Sequence, residues 1–232
     1  MFLNNVSFNH ILFADDSVLV APSPNGLQTL VNMCSSIAVE NDITFNAKKT
    51  KLMCFKPTCL KVPNIMLDGQ IIDSVSSHKY LGVYICDDFN DEIDIKRQIR
   101  GIYARGNAVV KCFRHCTSDV KSLIFKAYCS SFYCSQLWCH FSSLSITKLK
   151  VAYNRIFRYL FNLPQSNISI SSAMLDLNVT TFNAVLRKYM SGFVTRISNC
   201  DNEIINVLTK CVQFYKSSLS KQWCRDLYVL DL

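Results

Sequence analysis

Two adjacent carboxylates, Asp15 and Asp16, stand between two apolar runs in the segment HILFADDSVLVAPS, residues 10–23. Both runs have strand composition, so the acids fall where a hairpin must turn, and an uncharged polar turn would avoid their mutual repulsion. Keeping both ionised at such a tip is favourable when a divalent cation neutralises them. Asp is also a common turn residue, so the pair taken alone reads as an ordinary hairpin tip, and the elements around it decide its meaning.

The thiols offer a second chemistry. Twelve cysteines in 232 residues would suggest disulfides in a small secreted domain, but this chain is long and its opening, MFLNNVSFNH, lacks the charged and apolar blocks of a signal peptide. Reduced thiols in an intracellular protein are the expectation. Cys129, Cys134 and Cys139 recur every five residues, and such positions on a helix rotate by about 140° each, so they would not converge on one ion. Cys112, His115 and Cys116 can share a helix face, yet no second ligand pair stands at zinc-finger spacing. No cysteine metal site is expected.

The hairpin must be held by the elements C-terminal to it. Ser23 and Pro24 look like an N-cap and a first helical residue, and Leu27, Leu30, Val31, Cys34, Ile37 and Ala38 then keep an amphipathic helical spacing that ends near Asn41-Asp42. Ile43-Thr44-Phe45 and residues 51–55 read as short strands around the basic link Asn46-Ala47-Lys48-Lys49-Thr50, and Pro57 and Pro63 bracket a loop. Asp68-Gly69 between Ile65-Met66-Leu67 and Gln70-Ile71-Ile72 marks a hairpin, and residues 79–85 read as one further strand. Past Cys86 the pattern changes. The acidic run 87–94 suits the start of a helix carrying Ile95, Ile99, Ile102, Gly106, Val109 and Phe113, which accounts for those acids without a further role. More helices are expected from Thr117-Ser118, from Ser145 to Leu163-Pro164, over residues 182–197, and more weakly over 202–215. The charge-free stretch 127–147 holds seven Ser or Gln and a His, too polar for a membrane span, and reads as a buried helix and its exit. The expected fold class is α+β, a partial sheet with a packed helix in residues 1–86 followed by helices.

Charge is unevenly placed. Residues 95–175 carry twelve Lys or Arg against a single acid, Asp119, whereas the remainder holds thirteen bases and sixteen acids, so the net charge of +8 belongs to one segment. Such a field suits a polyanion, nucleic acid ahead of a membrane surface, with a solvated basic face that binds nothing as the alternative.

The order strand, Asp-Asp turn, strand, proline-capped helix, Asn-x-x-Lys-Thr, Tyr-Leu-Gly-Val resembles the second half of the reverse transcriptase of non-LTR, LINE-type retrotransposons. The residues that carry the resemblance are Phe13-Ala14-Asp15-Asp16, then Asn46, Lys49, Thr50, Met53 and Phe55, then Tyr80-Leu81-Gly82-Val83. It covers residues 10 to about 165. The resemblance implies the C-terminal part of a polymerase palm over 1–86, a helical thumb-like region over 87–165 and a helical extension over 166–232. It implies Asp15 and Asp16 as catalytic Mg²⁺ ligands, with Mn²⁺ as a substitute, and Lys49 near the incoming triphosphate. Tyr80 and Gly82 would lie in the strand called the primer grip. Lys96, Arg97, Arg100, Arg105, Lys111 and Arg114 would follow the phosphates of an RNA template and DNA primer. For an intact element it implies work in the cytoplasm and nucleus, with no membrane partner.

The same resemblance implies a gap. An earlier palm strand with another essential aspartate, and the fingers before it, have no counterpart among the fourteen residues ahead of Asp15. These 232 residues are therefore expected to be inactive alone, to need the upstream part of the same polyprotein, and to leave a sheet edge and an apolar face uncovered. A non-catalytic basic helical module that binds nucleic acid is the alternative, and a helical protein-interaction domain a third. Group II intron maturases and telomerase share the Asp-Asp hairpin, but Asn-x-x-Lys-Thr with Tyr-Leu-Gly-Val favours the retrotransposon branch.

Overall fold

A computed structural model describes residues 2–3, 6–55, 63–164 and 169–228. Among them ten short strands and one helix precede eight further helices, the α+β arrangement expected. The strands are β1 (Phe2–Leu3), β2 (Val6–Ser7), β3 (His10–Phe13), β4 (Asp16–Leu19), β5 (Lys51–Leu52), β6 (Met66–Leu67), β7 (Gln70–Ile71), β8 (Asp73–Ser74), β9 (Ser77–Tyr80) and β10 (Val83–Cys86). The helices are α1 (Pro24–Glu40), α2 (Glu92–Phe113), α3 (Ser118–Cys129), α4 (Ser143–Phe161), α5 (Ile170–Asp176), α6 (Phe182–Ser198), α7 (Glu203–Lys210), α8 (Val212–Lys216) and α9 (Ser218–Tyr228). The chain divides into two compact units, Met1–Phe89 with Asn202–Cys211, and Asn90–Asp201 with Val212–Leu232.

In the first unit the strands pair only two by two, so each ribbon depends on side-chain burial rather than on a wide ladder. α1 begins where the sequence indicates: Ser23 Oγ accepts the Gly26 N–H at 3.2 Å and Pro24 occupies the first turn. Its Val31 meets Leu52, Ile65, Leu67 and Ile72 in a small apolar cluster. Gln28 fastens α1 to β6, its amide donating to Met66 O and accepting from Met66 N–H, both at 2.8 Å. The strand expected at Ile43-Thr44-Phe45 does not form. Asp42 turns left-handed at φ 55°, and the Asp42 and Ile43 N–H groups bond back to Val39 O and Ala38 O, a Schellman cap that removes Ile43 from any ladder. The strand expected over 51–55 is only Lys51–Leu52, paired in parallel with β8, and Pro57 lies outside the described residues. The single strand expected over 79–85 is instead the hairpin β9–β10. Leu81 and Gly82 form its tip at φ 45° and 83°, a primed turn that closes between Tyr80 and Val83.

The second unit is built on the crossing of α2 and α4. Ile95, Ile102 and Val109 face Leu149, Tyr153, Ile156, Phe157 and Leu160, as the spacing predicts; Phe125 packs edge-on against Tyr153 and Phe157, and Phe132 and Phe182 lie edge-on to each other and tilted against Tyr153. Tyr153 is fully buried, its hydroxyl donating to Thr180 O at 2.6 Å, and burial pushes that phenol up to about 12. The buried helix expected over 127–147 is not formed. α3 stops at Cys129, and a connector containing one 3₁₀ turn (Ser135–Leu137) and a left-handed Cys134 leads to α4. The helix expected over 202–215 is interrupted at Cys211, and α5 and α9 have no counterpart among the expected elements.

The acidic run does more than start α2. Asp94, fully buried, accepts from Trp138 Nε1 at 3.0 Å and from Arg97 Nε at 2.7 Å, so the connector and α2 are joined through one carboxylate. Glu92 accepts the Ser142 N–H at 2.7 Å and the Ser145 hydroxyl, tying itself to the first turn of α4. The Ser145 hydroxyl and then the Ser142 N–H hold the Glu92 carboxyl below its ordinary 4.5. A lowered folded value means stability that is present above pH 4.5 and lost as pH falls through the folded value. The difference in thermal midpoint between wild type and Glu92→Gln is therefore expected to be level at neutral pH and to shrink below pH 4.5 in a melting series. A Cβ added at Gly106 would lie 2.6 Å from Ile156 Cγ1 and Cγ2, whereas one added at Gly192 meets nothing nearer than 3.6 Å. Gly106→Ala is expected to destabilise by about 1–3 kcal/mol through overpacking, and Gly192→Ala to stabilise by about 0.5–1 kcal/mol, both read from denaturant midpoints.

Candidate functional site

The β3–β4 ribbon pairs His10 with Leu19 and Phe13 with Asp16, so Ala14 and Asp15 form a two-residue tip with Asp16 opening the return strand. Ala14 takes φ 52°, a left-handed conformation that costs a non-glycine residue about 1–2 kcal/mol, and strain of this kind gathers at working sites. Asp15 and Asp16 are exposed, and among the described residues neither carboxylate has a hydrogen bond or an ion pair. Two uncommitted, adjacent carboxylates supply the hard oxygen donors that magnesium takes, so the residues present fit that ion. The ribbon's apolar side chains are open as well: Ile11, Leu12 and Phe13 are 48%, 66% and 60% exposed.

Lys49 stands on a turn that Asn46 builds. Asn46 Oδ1 accepts the Lys49 N–H at 3.1 Å, while its carbonyl accepts from Lys49 N, Thr50 N and Thr50 Oγ1, each at 3.0 Å. Asn46 and Thr50 thus fix the backbone and leave the Lys49 side chain exposed. At the β9–β10 tip, Leu81 is left-handed like Ala14, and the Tyr80 hydroxyl is buried without a hydrogen-bond partner among the described residues.

The cations of α2 divide into two groups. Lys96, Arg100, Lys111 and Arg114 are all exposed and fall within about 60° of one another on a 3.6-residue helix, a stripe about 27 Å long with no acid on it. Arg97 and Arg105 point elsewhere. Arg97 is held on Asp94, and Arg105 donates from Nε to Tyr128 O at 2.9 Å and from Nη2 to Ser131 O at 3.3 Å, closing the carbonyl end of α3. Asp15, Asp16, Lys49, Tyr80 and Gly82 thus belong to the first unit, and the six α2 cations to the second.

Residues 1–85 match the family model for reverse transcriptase (RNA-dependent DNA polymerase). The matched span of the reverse transcriptase family holds the Asp15-Asp16 tip, the Asn46 turn and the Leu81-Gly82 tip, and nucleic acid substrates and divalent metal ions go with that family. No curated protein and no solved structure matches the chain. Among the described residues no helix is long and apolar enough to cross a membrane.

Two groupings were outside the reach of sequence spacing. One is the Asp94–Trp138–Arg97 cluster; the other joins Asp91 to Cys139 and His140 across 48 and 49 positions, so Cys139 is neither helical nor isolated as its five-residue spacing suggests. The α2 geometry separates its cations in a measurable way. Replacing Arg100 and Lys111 with Ala is expected to lower the salt slope of nucleic-acid binding by about 2, with the fold intact. Arg97→Ala is expected instead to cost about 1–3 kcal/mol of stability, because it leaves buried Asp94 one donor short. Filter binding across a salt series, with a denaturant melt on each variant, reads both.

Proposed function

We propose that this chain is the C-terminal half of a reverse transcriptase palm with a thumb-like helical region, from a non-LTR, LINE-type retrotransposon. In this reading residues 1–86 are palm, 87–165 thumb-like and 166–232 a helical extension. The observation that carries it is the uncommitted Asp15–Asp16 pair on a strained hairpin tip inside the span that matches the reverse transcriptase family. Asn46-x-x-Lys49-Thr50 followed by Tyr80-Leu81-Gly82-Val83 supports the LINE branch.

Asp15, with Asp16 beside it, is the place for Mg²⁺ or Mn²⁺. When bound, such ions lower the pKa of a primer 3′-hydroxyl and stabilise the departing pyrophosphate. Lys49, held out by the Asn46 turn, offers an ammonium group to neutralise or protonate the leaving pyrophosphate. The β9–β10 tip, where Gly82 has no side chain to keep a sugar-phosphate backbone away, positions the primer end. Lys96, Arg100, Lys111 and Arg114 hold the template–primer duplex by its phosphates without reading sequence.

Residues 1–14 contain no Asp or Glu, so in this reading the aspartate-bearing strand that completes a palm is supplied from outside these 232 residues. A second reading, a basic helical module that binds nucleic acid without catalysis, rests on the acid-free α2 stripe alone. Primer extension with Mg²⁺ or Mn²⁺ separates the two. The chain alone is expected to extend nothing, and a mixture with a separately supplied N-terminal palm and fingers segment to extend the primer, with Asp15→Asn reducing the rate at least about 100-fold. Extension by the chain alone would overturn the missing-ligand account. Tight binding with no extension in the complemented mixture would leave the binding module.

A further inference from the structure

The connector between α3 and α4 sets a thiol and an imidazole side by side at Cys139 and His140, and the fold brings the Asp91 carboxylate to them from the residue before α2. One donor atom from each of Asp91, Cys139 and His140 lies within 4.8 Å of the others, and Cys139 Sγ stands 3.3 Å from His140 Nδ1. Bond lengths near 2.0–2.3 Å put the donors of a tetrahedral zinc ion roughly 3–4 Å apart, so the three are about an ångström from coordinating distance.

This is a built arrangement rather than a chance meeting of surface side chains. Asp91 Oδ2 accepts the N–H groups of Cys139 and His140 at 2.7 Å each, and the Asp91 N–H donates to His140 O at 2.9 Å. These bonds fix the backbone of all three residues and bring the Asp91 carboxylate, the thiol sulfur and the imidazole together. Asp91 and Cys139 are half-buried and His140 is exposed, so one side is open for an ion to enter and for water to complete the coordination.

We propose that Asp91, Cys139 and His140 form a zinc site of three protein ligands and one water, which clamps the α3–α4 connector to the start of α2. The mixed oxygen, sulfur and nitrogen donor set selects zinc over magnesium or calcium, which take oxygen ligands. The site is chemically distinct from the all-oxygen Asp15–Asp16 pair and stands whether or not the chain is a polymerase fragment. Zinc binding releases the thiol proton to solvent and places the thiolate on the ion.

The test uses the full chain, stripped of metal by a chelator in a phosphine reductant, with bound metal measured after dialysis against Zn²⁺ and absorption recorded after dialysis against Co²⁺. His140→Ala is the informative variant, because it keeps the backbone bonds to Asp91; Cys139→Ser is the second and Cys112→Ser the control. Wild type and Cys112→Ser are expected to share the thiolate-to-cobalt band, and His140→Ala and Cys139→Ser to lose it along with about one equivalent of zinc. Zn²⁺ is expected to raise the thermal midpoint of wild type and not of His140→Ala. Equal metal content and equal cobalt absorption in wild type and His140→Ala would overturn the site, as would absence of the band from wild type.

Discussion

Where α2 crosses α4, the side chain of Ile156 occupies the space that a side chain at Gly106 would fill. That close approach seats Ile102 and Val109 against the aromatic core around Tyr153 and orients the whole of α2. With one face of the helix sealed, its remaining cations can only turn outward or find partners at the margins of the core. Lys96, Arg100, Lys111 and Arg114 do the first, while Arg97 and Arg105 do the second. The acid-free stripe is thus a by-product of how one glycine lets two helices meet. Helix packing of this density tolerates little change in volume, which is why the crossing governs the second unit.

The first unit works under a different constraint. Its ribbons are two strands wide and gain little from their ladders, yet besides the Asp68 tip two carry apolar residues, Ala14 and Leu81, in a left-handed conformation. Strain at those tips must be met by burial elsewhere, chiefly the Val31, Leu52, Ile65, Leu67 and Ile72 cluster. Both tips fall inside motifs that resemble polymerase elements, the Asp-Asp turn and Tyr-Leu-Gly-Val. In the reading proposed above, a backbone held in a costly shape beside the two carboxylates presents those ligands rigidly.

Much of the fold was legible in the sequence because it is local. The periodic apolar faces of α1, α2, α4 and α6, the Ser23-Pro24 start and the Asp68-Gly69 hairpin each depend on neighbours a few positions away. The misses arose where backbone turned left-handed at residues whose type did not announce it. Leu81 and Cys134 sit in runs of strand or helix composition, and Ile43 looks like a strand residue until the Asp42 cap claims its N–H. The Asp15–Asp16 tip and the Asn46 turn were legible as motifs. The internal engagement of Arg97 and Arg105 was not, since counting charge cannot tell a solvated guanidinium from one bonded to a carboxylate or a helix end. Nor could spacing link Asp91 to Cys139 and His140, because tertiary packing alone closes a gap of 48 residues.

Gln28 has an effect that reaches beyond anchoring α1. Its amide matches the Met66 peptide group bond for bond, donor to carbonyl and carbonyl to N–H, as a neighbouring strand would. The free margin of β6 is therefore already occupied at that residue, and an incoming chain finds no vacant peptide there to extend the ribbon. A side chain from a helix thus serves as a stopper against edge-to-edge association, the hazard that any unpaired strand carries.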